Sequence, residues 1–396
     1  MTEVIIMPMK SILKNALGEN ESNTSDPSTS APGVIGIPGP RAPLISPDDE
    51  ELAKIVEQLK VSIKIVGCGG SGSNTINRCM EEGVYGAEMI AANTDAKHLL
   101  TIKAHRKVLL GKRTTRGLGA GAIPQVGEEA TRESEEDLVN ALGRVDIAFI
   151  TAGMGGGTGT GSAPIVADIA KRQKALVISV VTLPFSSEGP VRMENALFGL
   201  EKIRRSSDTT IVIPNDKLLQ LVPRLPLNQA FKVADSILME ALKGLTEIIT
   251  KPGLVNIDYA DIKTIMAGGG VAMIGLGESE ASGQNKVEQA VEEAISSPLI
   301  EADISEAKGA LVRVVGDDQM SVAEAEAAVR LVQQKISPSA RIIWGASIDP
   351  TLKGAIKVLV VLTGVKSPYL IGQKGEISSV AKAAGAKGLD WNIDTV

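Results

Sequence analysis

The feature that most constrains this chain is a repeated order of apolar strand, turn and helix that begins near Val61. Val- and Ile-rich segments such as VSIKIVG, DIAFITA and ALVISVVTLP alternate with helical patterns such as SNTINRCMEEG and SAPIVADIAKRQK. Uninterrupted apolar strands with helices between them indicate a parallel sheet that is covered on both faces. We therefore predict an α/β fold with a Rossmann-like parallel sheet, and a ligand beyond the carboxyl ends of its strands.

Changes in composition and in apolar pattern along the chain predict five segments. Residues 1–50, rich in Ser, Pro and Gly, form a flexible extension with one short helix. The parallel sheet falls in residues 51–226. A helical apolar pattern predicts a long central helix over 227–250, which ends at a Pro-Gly pair. Residues 251–366 then form a smaller C-terminal α/β domain, and the remainder, 367–396, is a tail.

The composition excludes several classes of function. A net charge of −6 and a pI near 5.3 argue against a nucleic-acid partner, because that binding needs a basic face. The two cysteines, Cys68 and Cys79, suit a reducing cytoplasm and cannot form a disulfide framework. No apolar run reaches the roughly 18 residues that a membrane-spanning helix needs. We expect a cytoplasmic protein with no nucleic-acid partner and no transmembrane insertion.

Two glycine clusters each follow a predicted strand and precede a helix. The first, GCGGSGSN over 67–74, fits the G-x-G-x-x-G pattern that NAD-binding domains also use. The second, GMGGGTGTG over 153–161, contains six glycines and no lysine, with a helix predicted from near Ser162. Glycines let backbone N–H groups converge on an anion at a helix N-terminus, and the hydroxyls of Thr158 and Thr160 add donors. Both loops are therefore predicted to hold phosphate.

Two more loops lie at strand ends. RTTRGLGAGAIPQVG, over 113–127, is a third glycine-rich loop, and AANTD, over 91–95, ends another strand. The carboxyl ends of parallel strands meet at one edge of a sheet, so four such loops can converge on one nucleotide.

The start of the long helix offers groups that could recognise a base. Phe231 and Asp235 are four residues apart and share a helix face. A phenyl ring can stack on a purine, and a carboxylate accepts from the N1–H and N2–H₂ donors of guanine, which adenine does not offer in that pattern. Asn215, at a strand end, supplies an amide. The alternative is that neither residue binds a base, with Phe231 packed in the core and Asp235 exposed to solvent.

The segment NIDYAD carries two acids, Asp258 and Asp261, one helical turn apart. Such acids often only stabilise a helix N-terminus. They could instead orient water for attack on a γ-phosphate. They lie at the far end of the long helix from Phe231 and Asp235, so a head-to-tail neighbour could bring them to a nucleotide where one subunit could not.

Eight segments in this order resemble the FtsZ family, the tubulin-like cell-division GTPases: GCGGSGSN, NTD, TRGLGAG, GMGGGTGTG, PFSSEGPVR, IPND, AFKVAD and NIDYAD. The resemblance covers roughly Val61 to Val365, and the end of the second domain resembles archaeal members. It implies a tubulin-like two-domain architecture with a GTP-binding domain, a central helix and a C-terminal GTPase-activating domain.

The resemblance also implies a role for each matched residue. Those that would line the phosphates are Gly69, Gly70, Ser71, Asn74, Asn93, Gly119, Ala120, Gly121, Gly155, Gly156, Gly157, Thr158 and Gly159. Those near ribose and base would be Glu188, Arg192, Asn215, Phe231 and Asp235. Asn256, Asp258 and Asp261 would complete the hydrolytic site of the next subunit. Mg²⁺ would bind mainly through phosphates and water, because no carboxylate cage is evident.

The implied partners are further copies of the chain in a head-to-tail polymer and a membrane-anchoring division adaptor, with the protein concentrated at the mid-cell division site. Two alternatives remain at this point. An NAD-dependent oxidoreductase would use Gly67, Gly69 and Gly72, with His98 and His105 as its imidazole bases. The second alternative is a structural filament protein that does not hydrolyse nucleotide, and the two acids of NIDYAD argue against it.

Overall fold

The computed structural model describes residues 61–221, 226–251, 253–255, 257–281, 285–300 and 303–365. Its strands are β1 Ile63–Cys68, β2 Ala87–Asn93, β3 Arg106–Leu109, β4 Ile147–Gly153, β5 Leu176–Leu183, β6 Thr209–Pro214, β7 Gly270–Ser279, β8 Gly309–Gly316, β9 Arg341–Ile348 and β10 Ile356–Thr363. Its helices are α1 Gly69–Glu81, α2 Ala96–Thr101, α3 Pro124–Glu133, α4 Glu135–Leu142, α5 Thr158–Arg172, α6 Pro190–Ser206, α7 Asn215–Leu221, α8 Leu227–Thr250, α9 Tyr259–Met266, α10 Asn285–Ile295 and α11 Val322–Lys335.

All ten strands belong to one sheet, in the order β3-β2-β1-β4-β5-β6-β7-β10-β8-β9. Every pairing from β3 to β7 is parallel, which confirms the predicted parallel sheet. Strand β10 runs antiparallel to both β7 and β8, and β9 pairs parallel with β8. The two halves join at β6 and β7 through a short register from Thr209–Gly270 to Ile211–Ala272.

Strands β1, β4, β5 and β6 are buried on both faces along almost their whole length, which explains their apolar sequences, whereas the edge strands β3 and β9 carry exposed residues. Successive residues of β1 alternate between two core clusters: Ile63 and Ile65 belong to one, Val66 and Cys68 to the other. The helix α8 contributes to the first cluster and α5 to the second. In the part of the chain that the structure describes, no helix is both long enough and apolar enough to cross a membrane.

The helix α8 has the predicted bounds, with 24 residues from Leu227 to Thr250, and is therefore about 36 Å long. Val233 and Ile237 are fully buried against the sheet. Lys251 leaves the helix in an extended conformation (φ −92°, ψ 128°), as expected for a residue that precedes a proline.

Two boundaries differ from the sequence predictions. The helix α5 begins at Thr158 rather than near Ser162, and α3 begins at Pro124, inside the predicted loop 113–127. A Cβ on Gly161 would lie 2.2 Å from the carbonyl oxygen of Pro124, so this glycine lets the two helices pack closely. The last glycines of the second cluster thus serve helix packing rather than loop freedom.

Candidate nucleotide-binding site

The two glycine clusters touch at the carboxyl edge of the sheet. A Cβ on Gly69 would lie 2.6 Å from the amide nitrogen of Gly159, and one on Gly153 would lie 2.8 Å from the Cβ of Ser71. Gly69 also has a φ of +73°, a conformation that favours glycine. Any larger residue would force the two loops apart. The loops after β1 and β4 therefore form one continuous surface.

The third glycine-rich loop packs against the same surface. A Cβ on Gly157 would lie 2.9 Å from the Cβ of Ala120. Other glycines of the three loops face open space, since no described atom lies within 4 Å of a Cβ built on them: Gly70, Gly119, Gly121 and Gly156. Side chains there would fill this space, so the loops together form a cradle lined by backbone.

Two helices begin at the cradle without a side-chain cap among the described residues: α1 at Gly69 and α5 at Thr158. Their first backbone N–H groups and the positive ends of their dipoles are available to an anion. This arrangement supplies the donors that a lysine supplies in other phosphate loops. It fits a phosphate chain that spans both helix N-termini.

The hydroxyls predicted to bind phosphate have other partners. Thr160 is buried, and its Oγ1 accepts a hydrogen bond from the N–H of Gly155 at 2.9 Å, so it braces the loop from inside. Thr158 Oγ1 lies 2.6 Å from Thr94 Oγ1 and so joins the second cluster to the loop after β2. Gly155 itself turns the chain with a φ of +101°.

Asn74 and Asn93 are joined through a third side chain. His98 Nε2 lies 2.9 Å from Asn74 Oδ1, and His98 Nδ1 lies 3.0 Å from Asn93 Nδ2. Asn74 is exposed on α1, whereas Asn93 is buried at the end of β2. The structure therefore brings both predicted asparagines to the rim of the cradle.

Glu188 and Arg192 lie at another part of the rim and form an ion pair at 2.9 Å. Glu188 also accepts from the backbone N–H of Phe185 at 2.9 Å. A Cβ on Gly155 would lie 2.7 Å from the carbonyl oxygen of Arg192, so the N-terminus of α6 touches the second glycine cluster.

The predicted base-binding groups also lie at the carboxyl edge. Phe231 is 39% exposed and packs edge-on against Phe185, with ring centroids 5.1 Å apart, so part of its ring remains free. Asn215 is buried directly after β6, and its Oδ1 has no hydrogen-bond partner within the described residues. An unpaired buried amide oxygen is costly unless a ligand satisfies it.

Asp235 is a largely buried carboxyl on α8. Burial raises its pKa from 3.8 to about 7, although the positive charge of Arg78 partly opposes the rise. Arg78 projects from α1 and donates to Ser236 Oγ at 3.1 Å, which holds α1 against α8. A carboxyl that is costly to ionise alone is stabilised by a ligand with two adjacent N–H donors.

The two acids of NIDYAD lie at the opposite edge of the sheet. Tyr259, the first residue of α9, donates from its hydroxyl to the carbonyl oxygen of Asp146 at 3.4 Å. Asp146 immediately precedes β4, whose seven residues span about 23 Å before the second glycine cluster begins. Asp258 and Asp261 are both exposed there. Asn256 lies outside the described residues.

The sequence analysis missed several residues that shape the site. Phe185 lies in the quoted segment PFSSEGPVR, so its aromatic type was a usable signal. Thr94 lies in the quoted segment AANTD, but its contact with Thr158 joins elements distant in sequence, and no local pattern marks Arg78. His98 was considered only as a base for hydride chemistry.

Comparison with known proteins agrees with this geometry. Residues 62–223 match the family model "Tubulin/FtsZ family, GTPase domain", and residues 270–366 match "FtsZ family, C-terminal domain". The chain is 55% identical to "Cell division protein FtsZ 1" of Archaeoglobus fulgidus, over 83% of this chain and 88% of that protein. It is 50% identical to the protein of that name from Halobacterium salinarum, over 92% of this chain and 91% of the relative.

Solved structures show the same fold. "FtsZ dimer, empty (M. jannaschii)" superposes with a TM-score of 0.77 at 51% identity, covering 81% of this chain and 92% of that one. "CetZ2 from Haloferax volcanii - GTPgS bound protofilament" superposes with a TM-score of 0.70 at 22% identity, covering 82% and 98%. The second likeness concerns the fold alone. The alternative of an NAD-dependent oxidoreductase is not supported.

Proposed function

The chain belongs to the FtsZ family of tubulin-like GTPases, and we propose that it polymerises head to tail and hydrolyses GTP at a site shared by two subunits. The observation that carries the proposal is the separation of the site into two halves. The cradle lies at the carboxyl edge of the sheet, and Asp258 and Asp261 lie at the amino edge. Stacking one subunit on another brings the two edges together.

In this proposal the backbone binds the phosphates of GTP. The uncapped N-termini of α1 and α5 supply N–H donors, and Gly70, Gly119, Gly121 and Gly156 leave the necessary space. One part of the triphosphate is lined by Ser71, Asn74 and Asn93. The rest is surrounded by Ala120 and by residues Gly155 to Gly159. This mode of binding needs no lysine.

Guanine lies between Phe231 and the carboxylate of Asp235, with the amide of Asn215 at its edge. The unpaired Oδ1 of Asn215 and the high pKa of Asp235 support this assignment, because both groups gain partners from guanine donors. Glu188 and Arg192 lie beside Phe185, where the ribose would sit.

Hydrolysis uses water that a neighbour's carboxylates orient for attack on the γ-phosphate. Asp258 and Asp261 are the proposed carboxylates, with Asn256 beside them in the chain. A bound Mg²⁺ would supply positive charge to balance that of the phosphates. Within the described residues, no three His, Cys, Asp or Glu side chains cluster to hold a metal, so the ion would be held by phosphates and water.

We further propose that the polymer acts in the cytoplasm at the mid-cell division site and that an adaptor anchors it to the membrane. The names of the curated relatives, which are cell division proteins, support the setting. The predicted N-terminal helix and the tail after residue 366 are candidates for adaptor binding, and both lie outside the described residues.

The proposal is tested by measuring GTP turnover per subunit while protein concentration is increased, with parallel pelleting in GTP and in GDP. A shared site predicts that turnover per subunit rises with concentration and reaches a plateau once polymer forms, and that pelleting requires GTP. Turnover per subunit that stays constant from dilute to concentrated protein would overturn it.

A further inference from the structure

One side chain joins the loop after β1 to the loop after β2. His98, on α2, contacts Asn74 through Nε2 at 2.9 Å and Asn93 through Nδ1 at 3.0 Å. Because an amide oxygen only accepts, Nε2 must carry the proton. Because an amide nitrogen donates, Nδ1 must be the acceptor. One neutral tautomer of the imidazole therefore satisfies both contacts.

The histidine is itself held in place by buried structure. Its backbone N–H donates to Asp95 Oδ1 at 3.0 Å, which caps α2. Asn93 is 3% exposed, at the end of β2, and its Oδ1 accepts from the N–H of Asp95 at 3.4 Å. The imidazole thus connects an exposed amide to a rigid anchor.

Asn74 occupies a position that matters for an anion. It lies one helical turn after Gly70, on the same face of α1, and Gly70 borders the open space of the cradle. With Oδ1 committed to His98, the free part of the amide is its NH₂ group. An anion is attracted by the NH₂ donors and repelled by the oxygen, so the orientation of this amide decides its contribution.

We propose that His98 is a positioning residue, which fixes the amide of Asn74 so that its NH₂ group faces the polyphosphate of the bound nucleotide. This inference rests on the proposed function, since it assumes that the cradle binds GTP. His98 itself does not touch the nucleotide. It acts through Asn74, and the loss of the imidazole would leave that amide free to rotate.

Two amide substitutions separate this role from simple packing. The amide of glutamine reaches about as far as Nε2, whereas that of asparagine reaches only as far as Nδ1. We expect His98→Gln to keep GTP affinity within about threefold of the parent, and His98→Asn and His98→Ala to weaken it about tenfold, the effect of one hydrogen bond. His105→Ala is the matched control, because that imidazole accepts from the N–H of Met89 away from the cradle.

Guanosine, which has no phosphate, should bind all His98 variants equally. In a double-mutant cycle, His98→Ala should add no loss in GTP affinity to that of Asn74→Ala. Additive losses, or equal losses for glutamine and asparagine at position 98, would overturn the positioning role. If the parent protein binds no GTP at all, the proposed function fails instead, so the two failures are distinguishable.

Discussion

The carboxylate of Asp258 accepts a hydrogen bond from the backbone N–H of Asp261 at 2.8 Å, which makes Asp258 the N-cap of α9. The helix-stabilising interpretation of this acid is therefore correct. It does not exclude a second role, because a capping carboxylate at an exposed edge keeps oxygen lone pairs for other partners. Substitution can separate the two roles.

Asp258→Asn should retain the cap, because asparagine caps helices about as well as aspartate, whereas Asp258→Ala should lose about 1 kcal/mol of stability. Both variants should bind GTP normally and lose turnover by about 100-fold or more, the usual cost of removing a general base. Thermal unfolding and steady-state phosphate release measure the two effects. Asp137→Asn, at an exposed acid paired with Lys112, is the control. If Asp258→Asn hydrolyses GTP at the parent rate, Asp258 only caps the helix and has no catalytic role.

GTP binding should release a proton near neutral pH. The pKa of Asp235 is about 7 in the nucleotide-free protein, and guanine donors would lower it by stabilising the carboxylate. Affinity should therefore fall up to about tenfold per pH unit below about pH 7. Calorimetry at about pH 6, in two buffers of different ionisation enthalpy, measures the proton directly. Equal binding heats in both buffers would contradict the assignment of Asp235 to the base.

The same carboxyl should shape the stability of the nucleotide-free protein. Its pKa is about 7 in the folded state against 3.8 in a model peptide, so the folded protein binds more protons. The contribution of Asp235 to stability is then greatest below about pH 4 and is lost as pH rises from about 4 through about 7, by at most about 1.4 kcal/mol per unit. Denaturant unfolding of the parent and of Asp235→Asn across that range measures this contribution, because the parent should lose stability relative to the variant as pH rises. A difference between the two proteins that stays constant with pH would contradict the raised pKa of Asp235.

Asp235→Asn should also change the preferred base. Xanthine carries a carbonyl oxygen where guanine carries its 2-amino group, and an asparagine NH₂ can donate to it. We expect GTP affinity to fall roughly 10- to 100-fold, and xanthosine triphosphate to become the better ligand. Competition binding with both nucleotides measures the switch. A variant that still prefers GTP would show that Asp235 does not bind the 2-amino group of guanine.

Gly156 and Gly159 belong to the same glycine cluster, the first in the loop before α5 and the second in the first turn of that helix, and should respond differently to alanine. A Cβ on Gly156 meets open space, so Gly156→Ala should fold normally and lose GTP affinity. A Cβ on Gly159 would lie 2.8 Å from the carbonyl oxygen of Gly153, so Gly159→Ala should cost about 1–3 kcal/mol of stability. Thermal unfolding without nucleotide, followed by GTP titration, tests both. Normal GTP affinity in Gly156→Ala would place the phosphates elsewhere.

Local patterns predicted much of this fold. The apolar periodicity of α8 and the Pro-Gly pair behind it indicate both of its ends. Strands such as β4 and β5 are recognisable because burial on both faces makes them apolar throughout. The predicted start of α5 is wrong because a run of glycines suggests a loop. Gly161 instead lies in the helix, where the absence of a side chain allows close contact with α3. That contact depends on tertiary packing, which a local pattern does not encode.

The candidate site likewise contains residues that local sequence patterns indicate and residues that only the fold brings together. The glycines of the cradle and the acid of AFKVAD stand in recognisable segments, so the sequence could single them out as candidates. The bridge from Asn74 through His98 to Asn93 joins α1, α2 and β2, and its members become neighbours only when the sheet forms. Thr160 has a role that its residue type does not reveal, because its buried hydroxyl oxygen accepts from the N–H of Gly155 inside the loop.

The most direct test of the shared site mixes two inactive variants. Asp258→Asn should bind GTP but offer no catalytic carboxylate to a neighbour, and Asp235→Ala should bind GTP poorly but keep Asp258 intact. At a GTP concentration that fills only the first variant, each protein alone should show little turnover. The shared site predicts that the mixture hydrolyses GTP well above the sum of the separate rates, because the GTP of one variant meets Asp258 of the other. A mixture no more active than that sum would contradict it.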